Sequence, residues 1–278
     1  MARCTPNNQA QNREHLMPYD IPINSNFAAM AAAEIFQSYG HRTKIGRKSL
    51  HKFGRFETLG VTENDINYLG LDPVHSATNS ITTVSSASAS DTTQTITVEG
   101  MTISGNALTF ASQTVALNGQ AKVTLATPLS RVTRIANVLG PVATLGDVYV
   151  YEDGTITGGI PTDLDTVGNV MAATDQSTLF AGTSISSTNY FILTGYWAYL
   201  GKKTNAFADI RFKTQAVGTG FYRTRSMGSI SNSGGLDKLM VPYLIISPNT
   251  DIDITGAGST TNIDVFAGFE GFFADIIA

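Results

Sequence analysis

The 278-residue chain is short of cysteine, of charge and, over most of its length, of histidine. Cys4 is its one cysteine, which excludes an intrachain disulfide framework and fits assembly in a reducing compartment. His15, His41, His51 and His75 are all the histidines there are, so no nucleophile–histidine pair can be built from residues beyond 75. Cys4 and these histidines lack the spacing of a zinc site. No apolar run approaches the roughly 20 residues a membrane helix needs. The polar start Met1–Gln9 is not a signal-peptide pattern, so secretion by the usual route is not expected. GxSxG, GxxxxGK[ST] and HExxH are all missing.

What chemistry remains is thin. Asp163 with Asp165, and Glu152 with Asp153, could form a carboxylate pair for glycoside hydrolysis, but acidic turn residues explain them more simply. Asp251, Asp253 and Thr255 before Gly256 resemble half a calcium loop, yet Asn262 stands where the bidentate Glu belongs. Tyr196, Trp197 and Tyr199 could stack on a sugar, although so apolar a run reads first as core. No catalytic residue, cofactor or metal site is therefore expected, and the chain reads as a non-enzyme.

What is present is β-structure. With 26 Gly, 14 Phe, 10 Tyr and 14% charged residues, the composition suits short strands and turns. Ala208, Ile210 and Phe212 alternate with Asp209, Arg211 and Lys213, which predicts a strand with one dry and one wet face. Asn189–Leu200 is apolar enough to be buried on both faces. Strands of this kind recur from Arg131 onward, so residues 131–278 are expected to form a jelly-roll-like antiparallel sandwich. Residues 75–130 read as a small β subdomain. Its Ser/Thr/Ala tract at 75–93 is a linker or an exposed strand pair. Asn118-Gly119, between Thr114–Leu117 and Lys122–Leu125, predicts a two-residue hairpin. A helical turn is expected near Leu164–Met171, and a short helix from Thr62-Glu63-Asn64-Asp65 to Gly70.

Residues 1–74 read as an N-terminal arm with a helix over about 25–39, capped by Asn24 or Ser25 and ended by Gly40. Phe27, Met30 and Ile35 lie near one face of that helix, for packing on another protein or on the chain's own sandwich. Residues 1–55 carry eight basic against three acidic residues, a net of +5, while the rest carries −9. Arg42, Lys44, Arg47, Lys48, Lys52 and Arg55 are thus candidates for contact with something negative. That is nucleic acid, an acidic protein surface or a neighbouring copy. Little aromatic interleaving weakens the nucleic-acid reading. In the last strand, Phe266 and Phe272 face away from Val265, Ala267, Phe269 and Phe273, which marks them for contact between copies.

Several stretches resemble virion structural proteins of tailed bacteriophages. They are Lys52–Arg55 with Val61–Ile66, Gln113–Asn137, Gly146–Glu152 with Thr157–Pro161, and Pro242–Ile252. The chain departs from the pattern at Phe56, where Asn is expected, and in lacking a later Trp. The resemblance implies a non-enzymatic virion component made in the host cytoplasm. It would be a capsid decoration or cement protein, with the basic arm on the major capsid protein and a trimer as the favoured oligomer. The alternative is a tail, collar or baseplate component with a glycan-binding sandwich.

Overall fold

The computed structural model describes residues 43–137, 142–201, 206–231 and 234–276. The helix expected at 25–39, with Phe27, Met30 and Ile35, lies outside the described residues, as do Arg42 and the side chains of Lys44, Arg47 and Lys48. The described chain is nearly all strand. In order the strands are β1 (Thr43–Leu59), β2 (Asn64–Asp65), β3 (Ile81–Ser86), β4 (Thr95–Ser104), β5 (Ala107–Ala116), β6 (Val123–Leu129) and β7 (Arg131–Ala136). Then come β8 (Val148–Glu152), β9 (Ile156–Thr157), β10 (Ile160–Pro161), β11 (Val167–Ala172), β12 (Ser177–Thr178) and β13 (Gly182–Ile185). The last are β14 (Asn189–Leu200), β15 (Phe207–Ala216), β16 (Arg223–Ser231), β17 (Gly235–Ile246), β18 (Thr250–Gly258) and β19 (Ile263–Ile276). Short 3₁₀ turns stand at Tyr68–Gly70 and Leu164–Thr166, and Asp163 caps the second through Asp165 N–H, but the rest of the two stretches expected to be helical is not: Asn64–Asp65 is β2, and β11 begins at Val167.

Eight of these strands make a sandwich. One sheet runs β1-β19-β14-β17 and the facing sheet β13-β18-β15-β16, all antiparallel, with β2 added to β18. Numbered one to eight in chain order, the sheets read 1-8-3-6 and 2-7-4-5. That is the strand order of a jelly roll, the expected fold. The alternation seen in sequence fills its core: Ala208, Ile210 and Phe212 from one sheet meet Tyr196, Val265, Ala267 and Phe269 from the other. Phe269 sets its ring edgewise against Phe191 at 5.9 Å and Phe212 at 5.8 Å, so one side chain bridges the two sheets.

Between β2 and β13 the chain leaves the sandwich to build a second unit, ordered β5-β4-β7-β12-β11-β8-β3-β6. This eight-stranded sheet curls until its edges meet. Gln113 on β5 donates from Nε2 to Thr127 O at 2.7 Å and accepts from Thr127 N–H at 2.9 Å on β6. The rolled sheet encloses its own core of Ile81, Val84, Ile96, Val98, Leu129, Ile135 and Val150.

Four expectations change here. The boundary placed between 130 and 131 runs through this sheet, because β4 and β7 are hydrogen-bonded neighbours. The sandwich draws instead on residues 43–67 and 182–276, so the part of the proposed arm from Thr43 onward is integral to it. The Ser/Thr-rich tract forms β3, a buried interior strand, since its hydroxyls find partners: Ser85 donates to Gly159 O at 2.6 Å. Asn118-Gly119 does turn, with Gly119 at φ 58°, but β5 and β6 do not pair across it. Leu117 N–H and Gly119 N–H bond to the carbonyls of Gln94 and Asp91, which draws the chain aside. Two-residue hairpins stand instead at Gly105-Asn106, where Gly105 supplies φ 59°, and at Gly158-Gly159, with φ 59° and 81°.

Because β1 occupies one flank of β19 along most of its length, a chain beginning at Gly60 is expected to lose cooperative unfolding of the jelly roll in urea. Phe269→Ala in the full chain should cost roughly 3–5 kcal/mol, read from the same transition.

Candidate assembly surface

Antiparallel pairing arranges the outer face of the β1-β19-β14-β17 sheet in rows. Phe53, Gly268, Trp197 and Asp237 form one row, and Arg55, Phe266, Tyr199 and Gly235 the next. A bulge at Thr194 governs which side chains reach this face. Before it Phe191 and Leu193 point into the core; after it Tyr196, Ala198 and Leu200 do. Trp197 and Tyr199 are thereby turned outward, which corrects the reading of Asn189–Leu200 as buried on both faces. A Cβ on Gly268 would lie 2.6 Å from the Trp197 ring, and one on Gly235 would lie 2.3 Å from the Tyr199 ring. The glycines therefore let both rings lean over neighbouring strands. The two ring centroids are 5.6 Å apart, and His51 lies 6.3 Å from Trp197.

This end of the face is apolar and open. Phe53 is 49% exposed, Tyr199 46%, Leu239 73% and Val241 84%. At the other end Ile192 and Ala274 are buried among Tyr190, Tyr243 and Ile245. Contiguous exposure of large apolar side chains marks interaction surfaces in soluble proteins. The sequence reading missed Phe53, Leu239 and Val241. The unalternated Leu239-Met240-Val241 was their available signal.

The charged candidates divide. Arg55 lies on the face but is spent locally. Its Nε and Nη2 donate to Asp264 at 3.1 and 3.0 Å, its Nη1 sits 2.9 Å from Glu57, and its guanidinium stacks 4.8 Å above Phe266. The bonds to Asp264 lift its pKa above the usual value. It is therefore no free cation for a partner, and Phe266 lies half-buried beneath it. Lys52 points the opposite way, into the cleft between the sandwich and the inserted unit, where Nζ donates to Thr133 O. Burial lowers its pKa to about 8, with Glu99 opposing that shift. Lys52 and Arg55 thus have internal partners: an extended β1 sends alternate side chains inward and pairs the rest with β19. Lys44 pairs by its backbone with Asp275, and Arg47 and Lys48 fall within the bulge between Ile45 and Ser49. Phe272 is on the outer face, half-buried, beside Ser49 and Ile192.

The cleft holding Lys52 has a volume of about 710 Å³ and is lined by Glu99, Arg134, Phe53, Phe110 and the hydroxyls of Thr183 and Ser184, among others. Among the described residues, no group of three His, Cys, Asp or Glu side chains is arranged to hold a metal ion, and no helix is long and apolar enough to cross a membrane.

No protein-family model matches the sequence, and no curated protein matches it. Among solved structures, the chain is similar to one described as the structure of infectious bursal disease virus Gt strain. The two share 13% identity over 85% of this chain and 78% of that one, at a TM-score of 0.19. It is also similar to the crystal structure of the VP2 subviral particle of the same virus, at 12% identity over 88% and 78% of the two chains and a TM-score of 0.19. At such scores neither likeness bears on the fold or the function. The jelly-roll assignment stands on the strand order alone.

The Lys52 amine supplies a prediction. Its pKa in the fold is below the ordinary value of about 10.4, so its contribution to stability is complete above that value and is lost as pH falls through about 8. The urea midpoint of the wild type should therefore rise between pH 8 and pH 10 by more than that of Lys52→Met. Equal rises would mean that the amine is solvated.

Proposed function

We propose that this chain is a structural component of a virion, and within that class a decoration or cement protein on the head of a tailed bacteriophage. The observation that carries the reading is the eight-stranded jelly roll with an open apolar outer face, since jelly rolls recur in capsid proteins. Fold alone does not assign function; the sequence resemblance to phage virion proteins supports the same class. The open face at Phe53, Tyr199, Leu239 and Val241 gives a physical reason for assembly, because burying it removes apolar area from water.

On this reading the jelly roll associates with copies of itself, a trimer being favoured, through the outer face that includes Phe266 and Phe272. The basic residues that precede and open β1 (Arg42, Lys44, Arg47 and Lys48) grip acidic surfaces of the major capsid protein or another virion protein. Lys52 and Arg55 are left out of that contact, having internal partners. The chemistry is non-catalytic: the chain holds positions on a particle. A second reading, a tail, collar or baseplate component that binds glycan, draws on the outward Trp197 and Tyr199 rings, which present apolar faces beside His51, Glu270 and Asp237.

Copy number on purified particles separates the two: hundreds per particle are expected for the head reading, and a few dozen or fewer would overturn it. Association is checked by light scattering on the full chain. Leu239→Asp and Phe272→Asp should lower the assembled fraction at micromolar concentration while leaving the urea midpoint nearly unchanged. Attachment to particles should weaken with salt, since such contacts are screened over roughly 8 Å at physiological ionic strength, and replacing Arg42, Lys44, Arg47 and Lys48 by Ser should loosen it at low salt and leave what remains less sensitive to salt.

A further inference from the structure

The seat of the inserted unit on the jelly roll is crowded with carboxylates. Asp251 and Asp253 stand on β18, on the face away from Ile252 and Ile254. Asp65 on β2 pairs with Thr255, which makes it a diagonal neighbour of Asp253 on the same face. Asp72 and His75 lie on the segment leading into the inserted unit, Arg131 comes from its strand β7, and Tyr222 from the loop before β16. Asp65, Asp251 and Asp253 are all buried.

The cations present are already taken. Arg131 donates to Asp251 at 3.2 Å from Nε and 3.1 Å from Nη2, and also bonds to Ser76 O at 2.5 Å. Ser184 completes the Asp251 shell at 2.6 Å. Lys213 and Arg211 both pair with Glu63. His75 Nδ1 lies 2.9 Å from the Tyr222 hydroxyl and 3.8 Å from Asp251. Asp253, 1% exposed, has no well-formed hydrogen bond on either oxygen, although the Tyr222 hydroxyl lies near enough to act on it. Gly182, its cross-strand neighbour, closes one side, since a Cβ there would sit 2.5 Å from Oδ1. A buried, unpartnered carboxylate is strongly disfavoured in its charged form.

We propose that Asp253 and Asp65 hold a proton at this junction, and that its loss loosens the inserted unit from the jelly roll. The ionisation behaviour agrees with the geometry. Burial, reinforced by Asp251 and Asp72, pushes Asp253 up to about 6 against the pull of His75 and Tyr222. Burial and the nearby Asp253 and Asp72 push Asp65 the same way, against Lys213. Asp251 moves oppositely: burial alone would raise it, but His75, Arg131 and Ser184 together bring it below the usual range. Glu63 is likewise lowered, through Lys213, Thr255 and Arg211 acting against burial.

The signs follow. A carboxyl raised in the fold contributes stability that is complete below about 3.9, its unfolded value, and that is lost as pH rises through about 6. Asp251 and Glu63 contribute stability that is present above their unfolded values and lost as pH falls through their folded ones. The junction is therefore tightest in mildly acid solution and opens toward neutral and alkaline pH. This holds whatever particle or partner the chain serves, so its failure would leave the virion reading untouched.

Hydrogen exchange on the full chain, with peptides covering 71–80 and 250–256, tests it between pH 4.5 and 8 after correction for intrinsic rates. In the wild type the opening equilibrium of these peptides should rise roughly 30-fold across that range through Asp253, the equivalent of the one and a half pKa units between pH 4.5 and about 6, with Asp65 adding to it. Asp253→Asn should flatten the rise, matching wild type at pH 4.5 and exchanging more slowly than it at pH 8. Asp65→Asn, which leaves Asp253 in place, should flatten it in part, and keeps the test open if Asp253→Asn folds poorly. A wild-type profile without the rise, or one that survives both substitutions, overturns the proposal. So does restoration of slow exchange at pH 8 by millimolar calcium or magnesium, which would make the ligand of these carboxylates a cation instead of a proton.

Discussion

The pairing of β1 with β19 is the constraint on which the other elements depend. It joins the first described strand to the last, and it fixes β19 between β1 and β14 in one sheet. In a jelly roll the remaining strands then have few choices. Each successive strand must find a place beside one already laid down, alternating between two sheets whose apolar faces have to meet. Phe56 and Leu59 on β1 and Val265, Ala267 and Phe269 on β19 supply a large part of the first sheet's inner face. The facing strands β15 and β18 pack against that pair and against Phe191, Leu193 and Tyr196 of β14. Such a long-range contact closes late, because the loop-closure entropy of the intervening chain has to be overcome first.

The insertion between β2 and β13 is compatible with this order because its two ends lie close together. Tyr68 N–H bonds to Leu179 O, and Ala181 N–H bonds to Ile66 O, so the chain leaves and re-enters through a short ladder. A rolled sheet with its own core can then sit outside the sandwich without disturbing its strand order. What seats it is polar: the Arg131–Asp251 pair, buried and bidentate, with Ser184 and Ser76 completing both shells. Burying such a pair returns little net stability, because desolvation offsets the Coulomb attraction. Its geometric demand is strict, however, since Arg131 reaches both Asp251 oxygens and Ser76 O in one orientation only. The pair specifies how the units meet more than how strongly.

Much of the sandwich was legible in sequence because alternation is a local signal. Ala208 to Lys213 and Val265 to Phe273 declare their inner and outer faces without reference to any partner. The domain boundary was not legible. β7 resembles the strands that follow it in pattern, and its pairing with β4 lies in hydrogen bonds that composition does not record. The turn at Asn118-Gly119 carries the hairpin signature, but Leu117 and Gly119 bond to the Ser/Thr-rich loop instead, a tertiary choice overriding a local propensity. Charge misled in a similar way. Lys52 and Arg55 belong to a basic run, yet strand geometry sends the first inward and hands the second to Asp264. The junction carboxylates were half visible: Asp251 and Asp253 resembled part of a calcium loop, while Asp65, His75 and Tyr222 reach them only through folding.

The bulge at Thr194 shows how small a feature decides what the outer face can do. Were Thr194 an ordinary strand residue, unbroken alternation would carry Phe191, Leu193 and then Gly195, Trp197 and Tyr199 to the inside. Gly195 and the large Trp197 would then replace Tyr196 and Ala198 opposite Phe212 and Ile210. Thr194 anchors the irregularity by donating its hydroxyl to Glu270 O at 3.0 Å, on the strand alongside. The shift puts Tyr196 in the core, where its hydroxyl meets Ser226 at 3.0 Å, and leaves Trp197 and Tyr199 outside. Gly268 and Gly235 then let those rings lean over the sheet, where a larger residue would drive them upright. A bulge and two glycines on three different strands thus converge on one exposed aromatic patch. Core packing alone would be satisfied by any small residue outside, so what these positions have in common is the shape of the surface.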